Sequence, residues 1–192
     1  MAKKNSFINQ FLEDKKTIGS IIPSSRFLAK RMIENVDFKK DKILVELGPG
    51  TGVFTFEIIK MMAPDATLLI FELNTVFIRN LRRIIKDPRV IFINDSAEKV
   101  DEYLKNNNLD KADVIFSSLP LSNFSRELKE SIITNSFNSL KNYGKFIQFQ
   151  YSLSSIKLFQ TIFNEVNKTF TLLNFPPAFV FTCEKIIDTK IK

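Results

Sequence analysis

The chain has 192 residues, with 28 lysines and arginines against 21 aspartates and glutamates, no histidine and one cysteine. That length accommodates one α/β domain with a full core and little more. The missing histidine excludes a Ser-His-Asp triad, a Cys-His nucleophile and histidine-rich metal sites, so no metal centre is expected, and a lone Cys183 forbids an intrachain disulfide. The net charge of +7 favours a polyanionic partner, nucleic acid or an anionic membrane surface, unless it reflects only a lysine-rich composition. No N-terminal stretch has the apolar core of a signal peptide, and no apolar run approaches the roughly 18–20 residues that span a bilayer. The sequence therefore predicts a cytoplasmic protein.

In chain order, Met1 to Lys16 carries Phe7, Ile8, Phe11 and Leu12 as one helical stripe between lysines. It reads either as a helix laid into a membrane interface or as one packed across the mouth of the following domain. Gly19 and Pro23 punctuate a loop, and Ser24 or Ser25 can cap a helix running to about Val36. Residues 1–40 are read as this helical extension and 41–192 as the main domain. Strands are expected at Ile43–Leu47, Thr67–Phe71, Val90–Ile93, Asp113–Ser117 and Lys145–Phe149, alternating with helices as in a parallel sheet with right-handed crossovers. The helix after the second strand carries a basic face at Arg79, Arg82, Arg83 and Lys86, and another helix is expected near Arg126–Lys141. Thr169–Phe175 and Phe179–Ile187 stand only a Pro176-Pro177 turn apart, which permits antiparallel pairing and forbids a helical crossover.

The chemistry gathers at the strand ends. Glu46-Leu47-Gly48-Pro49-Gly50-Thr51-Gly52 places an acid at the end of the first strand, then glycines at every second position, then a helix. Such glycines let the backbone turn tightly and approach a ligand, although their spacing is not that of the dinucleotide-binding fingerprint. Glu46 otherwise reads as an exposed loop glutamate, and Thr51 either adds a hydroxyl contact or is structural. Glu72, with Leu73 beside it, ends the second strand twenty residues after Gly52. An acceptor-only carboxylate there can take both hydroxyls of a ribose; the alternative is an N-cap acid before Asn74. Asp95, Ser96 and Ala97 follow the third strand, where Asp and Ser are also common helix caps. Ser117-Ser118-Leu119-Pro120-Leu121 follows the fourth strand, and Tyr151 the fifth, in Gln148-Phe149-Gln150-Tyr151-Ser152.

The Glu46-x-Gly48-x-Gly50-x-Gly52 pattern resembles motif I of class I S-adenosylmethionine-dependent methyltransferases. The resemblance implies a Rossmann-like, seven-stranded, mostly parallel sheet with an antiparallel last strand, preceded by the helical extension. It also implies S-adenosylmethionine as cofactor, bound by Glu46, Gly48, Gly50, Thr51, Gly52, Glu72, Leu73, Asp95, Ser96, Ala97 and Ser117. Glu46 would hold the methionine end and Asp95 the adenine amino group. Gly19-x-x-x-Pro23-Ser24-Ser25 ahead of an amphipathic helix, the Ser-x-Leu-Pro-Leu loop and Tyr151 are similar to bacterial phospholipid N-methyltransferases. Those enzymes methylate phosphatidylethanolamine or ornithine lipids, and rRNA adenine dimethyltransferases are broader kin. The rRNA enzymes carry Asn-Leu-Pro-Tyr where this chain has Ser118 to Leu121, so the amide that grips adenine and the ring that stacks on it are both replaced. The double proline before Ala178 also fits the phospholipid enzymes, but Phe179 stands where an arginine commonly follows. The resemblance implies Ser118, Leu119 and Tyr151 at the acceptor. The expected activity is N-methylation of an amine-bearing phospholipid, phosphatidylethanolamine first, at the inner membrane face, with no protein partner. A nucleic-acid adenine methyltransferase and an enzyme of a small-molecule substrate are the alternatives.

Overall fold

The computed structural model describes residues 24–171 and 176–187. The stripe at Phe7–Leu12 and the Gly19–Pro23 loop lie outside them, as do residues 172–175 of the expected hairpin. Helix α1 (Ser24–Ile33) leads into β1 (Ile43–Leu47), α2 (Val53–Met61), β2 (Thr67–Phe71), α3 (Thr75–Ile84) and β3 (Val90–Ile93). A short 3₁₀ turn then joins α4 (Val100–Asn106), β4 (Ala112–Ser117), α5 (Arg126–Ser139), β5 (Leu140–Gln150), α6 (Ile156–Ile162), β6 (Glu165–Thr171) and β7 (Ala178–Glu184).

The seven strands form one sheet in the order β3-β2-β1-β4-β5-β7-β6. Strands β1 to β5 are parallel neighbours, and β7 enters antiparallel between β5 and β6. This is the expected methyltransferase sheet with its last strand reversed. The hairpin arm β6 begins four residues earlier than the sequence suggested, because Glu165, Asn167 and Lys168 belong to a solvated edge strand that alternation does not advertise. Strand β5 likewise begins directly after α5. A left-handed Tyr143 (φ 62°) and Gly144, where a Cβ would lie 3.0 and 3.1 Å from the Lys141 and Ala112 carbonyl oxygens, carry the chain into the ladder.

Period-two alternation splits the core between the two faces of the sheet. Val45, Leu47, Leu69, Phe71, Ile115, Phe146 and Phe181 face one side, with residues of α4, α5 and α6 over them. Leu44, Leu68, Ile70, Val114, Phe116 and Ile147 face the other, under Leu28, Met32, Phe54 and Ile58 of α1 and α2. Each such fully buried side chain contributes about 1.5–3 kcal/mol, which anchors the strands so that their carboxyl ends hold a fixed geometry. The chain reverses its winding between β1 and β4, and ligands of open α/β sheets bind in the crevice beyond that junction. No helix among the described residues is long and apolar enough to cross a membrane.

Candidate active site

The turn after β1 is built from three residues in left-handed conformation, Gly48 (φ 71°), Gly50 (φ 58°) and Gly52 (φ 87°). At Gly48 a Cβ would lie 2.7 Å from Leu119 Cδ2, and at Gly52 one would lie 2.4 Å from Leu81 Cδ2. Only glycine satisfies both the dihedral and the contact. The Gly48 amide donates to the Phe71 carbonyl at 2.9 Å, and the Ser118 amide donates to the Leu47 carbonyl at 2.9 Å. The glycine turn is thereby tied to β2 on one side and to the loop after β4 on the other. Helix α2 then starts on Gly52 with no side-chain cap and no acid in its first turn. Its leading amides thus have no side-chain cap among the described residues, and the helix dipole there favours a negative group.

Glu46 is 0% exposed, so it is not a loop glutamate. It lies on the α1/α2 side of the sheet, in register between Ile70 and Phe116. Neither carboxylate oxygen makes a hydrogen bond among the described residues, and neither does Thr55 Oγ1 on the first turn of α2. Burial raises the Glu46 carboxyl to about 8; the nearby Thr55 hydroxyl pulls it down, and the Glu72 charge adds to the rise. A buried acid without a partner is costly unless it meets a cation or a donor. A sulfonium compound with an α-ammonium group supplies both.

Glu72 is also buried, and each of its oxygens accepts one backbone N–H, from Gly50 at 3.1 Å and from Asn74 at 2.9 Å. Each oxygen keeps a lone pair, enough for the two hydroxyls of a ribose. Asn74, not Glu72, caps α3 by accepting from Val76 and Phe77. Asn94 clamps the turn from β3 by donating to the Glu72 and Leu73 carbonyls at 2.7 and 3.1 Å. Leu73 itself is exposed beside it. Asp95 accepts from the Ser96 amide, from Lys99 Nζ at 2.9 Å and from Tyr103 Oη at 3.0 Å, and the Lys99 bond holds its carboxyl below the usual range. Ser96 is the cap of the following turn, accepting from Glu98, and Ala97 is buried behind it.

After β4, Ser117 is buried, with its hydroxyl accepting from the Leu119 amide at 3.4 Å. Ser118 and Leu119 are half-buried at the mouth, and Leu121 is 0% exposed in the core. Tyr151 is 56% exposed, its ring edge-on to Phe149. Thr51 is exposed on the glycine turn. Three polar residues were not singled out from sequence: Thr55 beside Glu46, Asn94 behind Glu72, and Gln148, whose amide holds the Leu119 carbonyl at 3.0 Å. All three act through tertiary contacts, and only Gln148 and Asn94, at strand ends, carried a positional signal.

An unpartnered acid, a glycine cradle and a ribose-competent carboxylate stand at the switch point of this sheet, and together they fit S-adenosylmethionine. Fold and site define a class I S-adenosylmethionine-dependent methyltransferase. Residues 1–150 match the ribosomal RNA adenine dimethylase family, and the chain belongs to that family. The chain is similar to the ornithine lipid N-methyltransferase of Singulisphaera acidiphila, with 26% identity over 95% of this chain and 96% of that one. It is also similar to the ribosomal RNA small subunit methyltransferase A of Wigglesworthia glossinidia brevipalpis, with 29% identity over 93% of this chain but only 60% of that one. In fold it is similar to the 1,6-didemethyltoxoflavin-N1-methyltransferase of Burkholderia thailandensis, at TM-score 0.73 and 11% identity over 97% of this chain and 90% of that one.

Proposed function

We propose that the protein is an N-methyltransferase of the amine headgroup of a membrane lipid, with phosphatidylethanolamine and ornithine lipid as the headgroups to test. The observation that carries this reading is Leu121. At the position where the rRNA dimethylases carry their stacking ring, this chain has an aliphatic side chain sunk in the core. A flipped base finds neither a ring to stack on nor an amide at Ser118 to read it. Similarity over nearly the whole length of an ornithine lipid N-methyltransferase supports the same reading. The family match and the net charge of +7 favour a second reading, adenine methylation in RNA.

When bound, S-adenosylmethionine supplies an electrophilic methyl group to an amine lone pair. The chain's own contribution is alignment, desolvation and charge balance. Glu46 balances the cationic end, Glu72 takes the ribose hydroxyls and the open amides of α2 take the carboxylate. Ser118 and Leu119 wall the acceptor, while Asp95 and Ser96 border the adenine side. The stripe of Phe7, Ile8, Phe11 and Leu12 is the segment proposed to meet the inner membrane face, its alternative being a cover over the site. The deciding assay uses purified protein, methyl-labelled cofactor, anionic vesicles with and without either amine lipid, and rRNA as the rival acceptor. Label is expected in the lipid amine; label confined to rRNA overturns the reading.

A further inference from the structure

Two side-chain amides remain unexplained by the cofactor site. Gln148 and Gln150 sit two residues apart on β5, so they share one face of the sheet at its carboxyl end. Gln148 is 0% exposed and Gln150 5% exposed. The orientation of Gln148 is forced, because its nitrogen lies against two acceptors, the Leu119 carbonyl at 3.0 Å and the Phe149 carbonyl at 2.5 Å. Its oxygen must therefore point away, and it has no partner among the described residues. The Gln150 nitrogen is held by Ser155 Oγ at 3.1 Å, and its oxygen is equally unpartnered. Buried carbonyl oxygens are normally satisfied, and leaving one bare costs free energy. Two on one face, the first in register with Ser117 and bonded to the loop after β4, call for a ligand rich in N–H donors.

We propose that the buried amide oxygens of Gln148 and Gln150 form the subsite for the acceptor amine, taking its N–H bonds and leaving its lone pair free. This rests on the reading of the acceptor as a lipid amine. The chemistry suits the reaction in two ways. An amide oxygen is neutral, so it binds an amine without holding it as the unreactive ammonium, which a carboxylate would do. Burial itself disfavours the charged form of an amine, so a headgroup held at these buried oxygens loses proton affinity. The amide that the rRNA enzymes carry after β4 is on this proposal supplied from β5.

The subsite predicts a graded dependence on headgroup substitution. A neutral primary amine offers two N–H bonds, its monomethyl form one and its dimethyl form none. Gln148→Leu and Gln150→Leu are compared with wild type on anionic vesicles bearing each of the three forms of phosphatidylethanolamine or of ornithine lipid. KM is read where a form turns over and the inhibition constant where it does not. The expected loss is about tenfold for the primary amine, smaller for the monomethyl form and absent for the dimethyl form. An equal loss for all three, in variants that keep cofactor affinity, overturns the subsite and leaves the glutamines as packing. A wild type that labels no lipid amine instead overturns the lipid reading, and the subsite with it. If the leucine variants do not fold, Gln150→Glu decides, since Ser155 can donate to its carboxylate. It is expected to tighten the dimethyl form and to move the pH optimum for the primary amine upward; an unmoved pH profile overturns the proposal.

Discussion

Glu46 sets the pH behaviour of this site, because its carboxyl is raised to about 8 while it lies buried with both oxygens unpartnered. A folded-state value above the ordinary 4.5 means that the folded protein takes up a proton on this group. Stability then falls as pH climbs from about 4.5 to about 8, and the loss is complete above that range. Cofactor binding has the opposite slope, since a cation needs the ionised form. Cofactor affinity is therefore expected to rise with pH up to about 8, by as much as tenfold per unit, and calorimetry across pH 6–9 checks it. Glu46→Gln should flatten that profile. It should also melt with the wild type at pH 5 but several degrees above it at pH 8.5, at roughly 2–4 °C per kcal/mol. At Glu72 the same reasoning gives a different pattern. Glu72→Ala is expected to weaken cofactor binding by at least about 1.5–3 kcal/mol, and unchanged affinity would remove Glu72 from the site. Even Glu72→Gln must turn an NH₂ toward the Gly50 or the Asn74 amide, so shape alone does not rescue it.

Elements join the two halves of the site. The turn after β1 and the loop after β4 touch through Gly48 and Leu119 and through the Ser118–Leu47 bond, so the cofactor cradle and the acceptor wall move together. Gly48→Ala places a methyl group 2.7 Å from Leu119 Cδ2 and forces a left-handed alanine, at about 1–2 kcal/mol for the backbone alone. Steady-state kinetics are expected to show KM rising for both cofactor and acceptor. Trimming the obstruction in Gly48→Ala/Leu119→Ala should recover part of the cofactor term; an effect on the cofactor alone would mean that the two loops are independent. Such coupling explains what could be read from the chain. Glycines, acids and strand ends are local signals, so the sheet, the cradle and the positions of Glu46 and Glu72 were visible in the sequence. Which neighbour a polar side chain bonds depends on the backbone conformation it meets, even at short range. Nothing local says that Ser96 rather than Asp95 caps the turn after β3, or that Lys99 and Tyr103 tie Asp95 down. The helix at Ile156–Ile162 escaped for a related reason: seven residues with a single fully buried side chain give periodicity little to work on.

For the molecule as a whole, the proposed lipid reading raises the question of how a basic chain would reach such an acceptor. Net charge of +7 attracts vesicles and RNA alike, and both attractions fade with salt. Apolar insertion does not fade in that way, and two sets of residues could supply it. Tyr151 is exposed against Phe149, and Phe170 is exposed beside Phe179, whose ring lies 5.8 Å from Lys168 Nζ. The stripe of Phe7, Ile8, Phe11 and Leu12 lies outside the described residues, and its helical spacing suits an interface. If that stripe is the anchor, deleting residues 1–16 should abolish co-sedimentation with phosphatidylglycerol vesicles at high salt while cofactor affinity by calorimetry stays at the full-length value. Co-sedimentation retained at high salt would move the anchor to the exposed rings of Tyr151 and Phe170 and leave the N-terminal stripe as a cover for the site. Loss of cofactor binding together with sedimentation would make the segment part of the cofactor site, because a membrane anchor alone has no means of reaching Glu46 or Glu72 in a protein free in solution.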